Sequence, residues 1–207
     1  RRAGFTPRCV GLSCQRSSCL AWIEGSGEPL SPVLSWRDTR GADSVEKLSS
    51  RRDLIVNTTG LPLTPYYSAS NLRWLKNDLS RNMTPGIVFG TLSSFLSQLL
   101  TGRTRAVIDH TNAGRTQLMN IRTLEWDDAL LDLFDLHGIR LPDIAPTGHD
   151  FGIVATSAGP LPLFAVLGDQ QAAMLGLGVS EEGDGGINYG TGGFLMTNTG
   201  GRPAPVP

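Results

Sequence analysis

A chain of 207 residues, 40% hydrophobic and 18% charged, has the composition of a soluble globular protein, and we expect one domain or one and a fraction. Its net charge of −1 gives no electrostatic reason to expect nucleic acid or an anionic membrane surface as a partner. No apolar run approaches the roughly 20 residues of a membrane span, and no signal peptide is visible. Because the chain starts at Arg1 without Met, we expect its true N-terminus elsewhere. We also expect a cytoplasmic location.

The first forty residues predict short strands separated by polar turns. Residues 9–12 and 20–23 are apolar and flank the polar stretch Gln15-Arg16-Ser17-Ser18, and residues 33–36 form a third strand-like run ending at Trp36. The three cysteines in this region have no nearby His and no CxxC spacing. We therefore predict buried free thiols in a reducing cytoplasm rather than a zinc site, and no metal-ligating residues.

The middle of the chain alternates helical and strand-like patterns. Residues 43–54 predict an amphipathic helix, and residues 86–89 predict a strand. A helix capped by Ser68 or Ser70 is also predicted, with Leu72, Leu75 and Leu79 on one face. Two further helices are predicted at 91–100 and 126–136. In the helix at 91–100, the expected core face carries Leu92, Phe95, Leu96 and Leu99. We interpret residues 109–116 as structural turns in which Arg115 ties loops together, and residues 141–152 as a connection rich in Pro and Gly.

A carboxylate stands where a buried strand meets a helix. Residues 161–167 are a short apolar run that suits a strand buried on both faces of a parallel or mixed sheet. The run stops at Gly168, Asp169 and Gln170 follow, and residues 171–177 favour a helix. The carboxyl ends of such strands are where open α/β sheets bind ligands. The structural alternative is that Asp169 only caps the helix.

The last segment places a glycine-rich turn between two strand-like runs. Ile187 and Tyr189 precede Gly190-Thr191-Gly192-Gly193, and Phe194 follows. Exposed backbone N–H groups in such a turn form a concavity that binds phosphate, although an ordinary hairpin gives the same pattern. A base and a phosphate cradle about twenty residues apart are what phosphoryl transfer requires.

The motifs GDQQAA and NYGTGGFLMTNTG resemble those of the FGGY carbohydrate kinases, and within that family those of the glycerol kinases. Five motifs follow the family's order across residues 9–200. The resemblance implies an α/β fold of the ribonuclease-H-like or actin-like ATPase type. It assigns residues 1–183 to the N-terminal substrate domain without its first strands, and residues 184–207 to the start of a similar ATP domain.

The resemblance also implies a kinase that uses ATP and Mg²⁺, acts on a small polyol or sugar, and allows a homo-oligomer. Its catalytic base is Asp169. Its nucleotide-binding residues are Gly190, Thr191 and Gly192. The residues implied in substrate binding are Arg16, Ser17, Trp36, Tyr66, Asp169, Gln170 and Phe194.

Two parts of the family's machinery are not in this sequence. The Asp-x-Gly-Thr phosphate loop would precede Arg1, and most of the ATP domain would follow Pro207. We therefore expect no phosphorylation by these 207 residues alone, because half a cleft cannot position the reactants. A non-catalytic carbohydrate-binding fragment or decayed kinase is the alternative, which the intact Asp169 and glycine-rich turn disfavour. An actin-like ATPase without a sugar is disfavoured by Arg16, Trp36 and Tyr66.

We predict that glycerol is not the best substrate. Ser17 stands where glycerol kinases carry a Glu that accepts a hydrogen bond from substrate, and losing a charged acceptor should weaken glycerol binding by roughly 1.5–3 kcal/mol. A screen of polyols and ketoses with ADP release as readout tests this. Glycerol exceeding every other compound tenfold would contradict it.

Overall fold

The computed structural model describes residue 4 and residues 6–82, 84–189 and 193–203. Across these residues, strands and helices alternate along the chain in a mixed α/β arrangement. In the part of the chain so described, no helix is long and apolar enough to cross a bilayer.

Eleven strands lie in the described ranges. They are β1 (Val10–Cys14), β2 (Cys19–Ile23), β3 (Ile87–Thr91), β4 (Val107–Asp109), β5 (Met119–Asn120), β6 (Glu125–Trp126), β7 (Asp143–Ala145), β8 (Ile153–Thr156), β9 (Gly159–Gly168), β10 (Gly185–Tyr189) and β11 (Gly193–Thr197).

Seven α-helices lie in the same ranges. They are α1 (Ala42–Lys47), α2 (Arg52–Thr59), α3 (Ser68–Asp78), α4 (Leu92–Thr101), α5 (His110–Ala113), α6 (Asp128–Leu133) and α7 (Asp169–Gly176). Short 3₁₀ turns occupy Ser49–Arg51 and Ser80–Asn82.

Strand β9 is the middle strand of a mixed three-stranded sheet. It pairs in parallel with β1 and antiparallel with β8. The predicted strand at 161–167 is therefore confirmed, but burial on both faces is wrong for its first half, because Phe164 is 57% exposed. Leu163 is buried, and so is the end of the strand from Val166 to Gly168. Cys14 lies opposite Gly168, so the ends of β1 and β9 coincide.

The main hydrophobic core lies beside the antiparallel pair β2–β3. It joins Phe89 of β3 to Leu72 and Leu75 of α3 and to Leu130 and Phe134 at α6. The predicted face of α3 is thus confirmed at these two leucines. Its predicted serine cap is wrong: the N-cap is Tyr67, and the Ser68 hydroxyl donates instead to the Ser17 carbonyl oxygen at 3.1 Å.

Four other predicted elements differ in the structure. The helix expected at 43–54 is broken, because a 3₁₀ turn separates α1 from α2. The run at 33–36 makes only one antiparallel bridge, from Leu34 to Cys19, and is not a strand. Helix α6 ends at Leu133, short of the predicted 136, and the connection at 141–152 contains β7, which pairs with β4.

Helix α4 was predicted at nearly its observed length, ending at left-handed Gly102, but its predicted buried face is wrong. The buried residues are Ser93, Ser94, Ser97 and Gln98. Leu99 is 55% exposed. Small serine side chains let the helix approach β3 closely, and three of their hydroxyls donate or accept hydrogen bonds locally. The hydrogen bonds of these serines therefore help to orient the helix, together with the packing of Phe95 on Trp22.

Gln98 links α4 to β2. Its Oε1 accepts from Trp22 Nε1 at 2.8 Å, and its Nε2 donates to the Glu24 carbonyl oxygen. Trp22 and Gln98 are both buried, so neither group has water as a substitute partner.

We predict that Gln98→Met lowers the free energy of unfolding by about 2–4 kcal/mol, because it leaves two polar groups unsatisfied at about 1–3 kcal/mol each. Urea denaturation measures the loss. Leu99→Met on the exposed side of α4 is the matched control and should change stability by less than about 0.5 kcal/mol. A Gln98→Met variant as stable as this control would contradict the prediction.

Candidate active site

The candidate site begins at the junction of β9 and α7. Gly168 is the N-cap of α7, and Asp169 is the first helical residue. The Asp169 carboxylate makes no capping bond to the next turn of α7. Among the described residues its Oδ1 accepts only from the adjacent Gln170 N–H, at 2.8 Å. The alternative that Asp169 is the helix cap is therefore wrong. Its side chain is 49% exposed, which leaves the carboxylate accessible.

A buried network holds this junction in place. The Gly168 N–H donates to Thr111 Oγ1 at 2.7 Å, and the Thr111 hydroxyl donates in turn to the Asp109 carboxylate. Asp109 is buried and also accepts from the Thr111 N–H at 2.8 Å and from Asn112 Nδ2 at 2.6 Å. The turn into α5 thus supports the Gly168 backbone, consistent with the structural role predicted for residues 109–116.

Parallel pairing brings Arg16 to the same place. Because Cys14 lies opposite Gly168, the chain that leaves β1 carries Arg16 past Asp169. Arg16 Nε lies 4.0 Å from Asp169 Oδ1, and the Arg16 side chain is only 14% exposed. Burial, followed by repulsion from Arg115, lowers the pKa of Arg16 to about 10. The guanidinium therefore remains charged at neutral pH.

Ser17 is held by backbone contacts where it lines the cleft, and its hydroxyl oxygen keeps lone pairs that can accept a hydrogen bond. It is buried and has a left-handed backbone with φ 66°. Its hydroxyl donates to the Arg115 carbonyl oxygen at 3.0 Å, while its own carbonyl oxygen accepts from Ser68. The turn between β1 and β2 is thus joined to α3 and to the residue after α5, and these connections define one wall of the site.

The aromatic residues come from loops attached to this wall. The Trp36 N–H donates to Ser18 Oγ at 3.1 Å, which places the Trp36 loop beside the β1–β2 turn. Tyr66 lies just before α3, and Phe194 lies in β11. These three side chains are each between 41% and 49% exposed, as expected of residues that border a cavity.

All of these groups border one cleft with a volume of about 360 Å³. It contains every residue that the sequence predicted for substrate binding, and its lining is Gln15, Arg16, Ser17, Trp36, Thr64, Tyr66, Tyr67, Arg115, Asp169, Gln170 and Phe194. The predicted nucleotide-binding residues Gly190, Thr191 and Gly192 lie outside the described residues. Strands β10 and β11, on either side of them, pair antiparallel.

Sequence reasoning missed four residues of the lining. Gln15, Thr64 and Tyr67 each adjoin or nearly adjoin a predicted site residue, so the neighbouring motifs were a usable signal. Arg115 was interpreted as a structural tie between loops. Its backbone has that role, but its guanidinium lies 4.9 Å from the Tyr67 ring centre and borders the cleft.

The nearest thiol to the site is not a nucleophile. Burial, and then the negative charges of Asp169 and Asp109, raise the pKa of Cys14 to about 11. The thiol is therefore protonated at neutral pH, and only the thiolate is strongly nucleophilic. Cys9 and Cys19 are also free thiols, but the predicted burial is wrong for Cys9, which is exposed.

Comparisons with known proteins agree with this geometry. The model of the FGGY family of carbohydrate kinases, N-terminal domain, matches residues 5–176. Glycerol kinase from Thermus brockianus is 40% identical over 214 residues, which cover 98% of this chain and 43% of that protein. Glycerol kinase from Nostoc sp. is 38% identical over 195 residues, which cover 92% of this chain and 39% of that protein.

Solved structures share the fold. Plasmodium falciparum glycerol kinase with ADP superposes with a TM-score of 0.84 at 32% identity, covering 93% of this chain and 40% of that one. Xylulose kinase from Lactobacillus acidophilus has a TM-score of 0.77 at 24% identity, and the match covers 92% of this chain and 41% of that one. At this identity the likeness shows the fold alone.

The predicted α/β fold of the actin-like ATPase type is confirmed by these matches. The chain spans about 40% of the length of the curated relatives it matches. The boundary predicted at residue 183 stays a prediction. The match over residues 5–176, together with the agreement in fold, shows that this chain belongs to the FGGY family of carbohydrate kinases.

Proposed function

We propose that the protein containing this chain transfers the γ-phosphoryl group of ATP to a hydroxyl of a small polyol or sugar. The observation that carries the proposal is the accessible Asp169 carboxylate on the same cleft as Arg16, Trp36 and Tyr66. An acceptor for the hydroxyl proton and a wall suited to a hydroxylated carbon chain thus face each other.

In the proposed reaction, Asp169 accepts the proton of the attacking hydroxyl. The hydroxyl oxygen forms a bond to the γ-phosphorus of ATP while the bond from that phosphorus to the β–γ bridging oxygen breaks, and ADP leaves. Mg²⁺ bound with the nucleotide would neutralise phosphate charge. Asp169 is the one carboxylate among the described lining residues, and because it serves as the base we assign no residue of this chain to the metal.

The other lining residues position the substrate. Arg16 has hydrogen-bond donors for hydroxyl oxygens, and Trp36 and Phe194 offer apolar surfaces for the carbon chain. The Tyr66 hydroxyl is assigned to a terminal hydroxyl of the substrate. Gln170 Oε1 is buried without a partner among the described residues, so it offers an acceptor for a substrate hydroxyl.

Two further assignments belong to the same proposal. We assign Gly190, Thr191 and Gly192 to the nucleotide phosphates, because in the sequence this glycine-rich stretch stands between β10 and β11, and β11 carries Phe194. A cytoplasmic location fits a kinase that depends on ATP.

We predict that Asp169→Asn in the full-length protein lowers kcat by about 10²–10⁴-fold, the usual contribution of a positioned general base. The substrate dissociation constant should change little, because Asn keeps the size and polarity of the side chain. ADP release measures kcat, and calorimetry without nucleotide measures binding.

The matched control is Asp132→Asn, which alters an exposed carboxylate at α6 and should leave both values unchanged. Full turnover by Asp169→Asn would exclude Asp169 as the base. Binding of polyols without ADP release by the parent protein would favour the non-catalytic carbohydrate-binding alternative.

We also predict that Gly168→Ala raises KM about tenfold and costs about 1–3 kcal/mol of stability, the usual cost of overpacking. A methyl group there would lie 2.8 Å from Arg16 Cγ and 2.7 Å from Gln171 Oε1, so Arg16 must move. Steady-state kinetics and urea denaturation measure the two effects. Gly176→Ala, at the open end of the same helix, is the control, and equal effects in both variants would contradict the prediction.

A further inference from the structure

The charged side chains that line the cleft do not balance. Arg16 and Arg115 are cationic, and Asp169 is the one acidic residue among the described lining residues. The lining therefore carries a net charge of about +1 at neutral pH. A neutral polyol supplies no negative charge to offset this excess when the nucleotide is absent, and an unpaired charge near low-dielectric walls is costly.

The excess charge belongs to Arg115. The Arg16 guanidinium already has the Asp169 carboxylate at 4.0 Å. Arg115 has no carboxylate within ion-pair distance in the described part of the chain. Its recorded side-chain contact is the Tyr67 ring, at 4.9 Å from the guanidinium carbon to the ring centre. Stacking on a ring uses the face of a guanidinium and leaves its five in-plane N–H donors available.

The neighbouring residue cannot supply the missing charge. Ser17 is neutral, and its hydroxyl donates to the carbonyl oxygen of Arg115 itself. This bond fixes the Arg115 backbone without neutralising its side chain. The two cations also repel each other, since Arg115 contributes to lowering the pKa of Arg16. A ligand anion near both would relieve that repulsion.

We propose that Arg115, assisted by Arg16, binds a carboxylate of the substrate, so the preferred substrate is a polyhydroxy monocarboxylic acid rather than a neutral polyol. This rests on the proposed function and names the substrate class for the same cleft. One excess positive charge matches a monoanion, and a planar carboxylate matches the paired donors of a guanidinium. Repulsion from Asp169 directs the carboxylate to the Arg115 end and leaves a hydroxyl beside the base.

The cleft volume fits this class. About 360 Å³ lies near the lower end of the range for small-molecule sites, and it accommodates a short carbon chain with an acid group at one end. The aromatic side chains of Trp36, Tyr66 and Phe194 border the remainder of the chain.

The test uses the full-length protein and pairs of compounds that differ only at one terminal carbon: gluconate with sorbitol, xylonate with xylitol, and glycerate with glycerol. Calorimetry without nucleotide measures binding, and ADP release measures turnover. We expect at least one acid to bind about 10- to 100-fold more tightly than its neutral partner, the effect of one charge-assisted contact.

Arg115→Met keeps the length of the side chain and removes its charge, so it should abolish the preference for the acid, measured as the ratio of the two dissociation constants within each pair. Arg115→Lys should retain part of the preference, because the charge remains but the paired geometry is lost. Arg81→Gln, which removes an exposed cation away from the cleft, should leave the preference unchanged. Thermal melting verifies that each variant is folded.

The inference is overturned if neutral polyols bind as well as the acids, if Arg115→Met weakens both members of a pair equally, or if neither member binds. These outcomes differ from failure of the proposed function. Acid binding that depends on Arg115 but gives no ADP would refute the kinase proposal and retain the ligand assignment. ADP release with neutral polyols alone would support the kinase proposal and refute the assignment of a carboxylic acid as the preferred substrate.

Discussion

The candidate site depends on one close backbone contact, that of Gly168 with the Arg16 side chain. The absence of a side chain at position 168 lets the stem of Arg16 lie against the end of β9, and the hydrogen bond from the Gly168 N–H to Thr111 holds that strand end from the other side. A helix that begins at Asp169 then delivers its carboxylate to the edge of the buried guanidinium. The two charges are brought together by backbone packing, and each remains available to a ligand.

A largely buried arginine is costly in a folded chain when its one carboxylate partner lies 4.0 Å away, beyond hydrogen-bond distance. Burial removes water from the guanidinium, yet its pKa stays near 10, so the charge persists at neutral pH. The usual compensation is a set of hydrogen bonds donated by the charged group. Within the described residues, the Arg16 guanidinium donates no such bond. Polar groups with unsatisfied hydrogen bonds cluster at sites where a ligand supplies the missing partners. A polar surface that is preorganised in this way lowers the stability of the fold.

The strand-to-helix junction was predictable from local patterns. An apolar run, a glycine and a carboxylate stand within ten residues, and the structure has the end of a strand and the start of a helix at these positions. The resemblance to a family extended the prediction to residues far apart, such as Arg16 and Tyr66. The buried face of α4 was not predictable in this way, because serines there pack by size and hydrogen bonding instead of hydrophobicity. Arg115 was missed as a cleft residue because its position depends on a bond to Ser17, 98 positions away, which no local pattern records.

The three thiols differ sharply in their accessibility. Cys14 and Cys19 are buried, and burial raises the pKa of both, whereas Cys9 is exposed immediately before β1. Alkylating reagents at neutral pH require a reachable thiolate, which leaves Cys9 as the attachment point for a fluorophore or spin label. These 207 residues therefore carry one accessible thiol at one end of the sheet formed by β1, β9 and β8, and a label there can report distances toward the cleft.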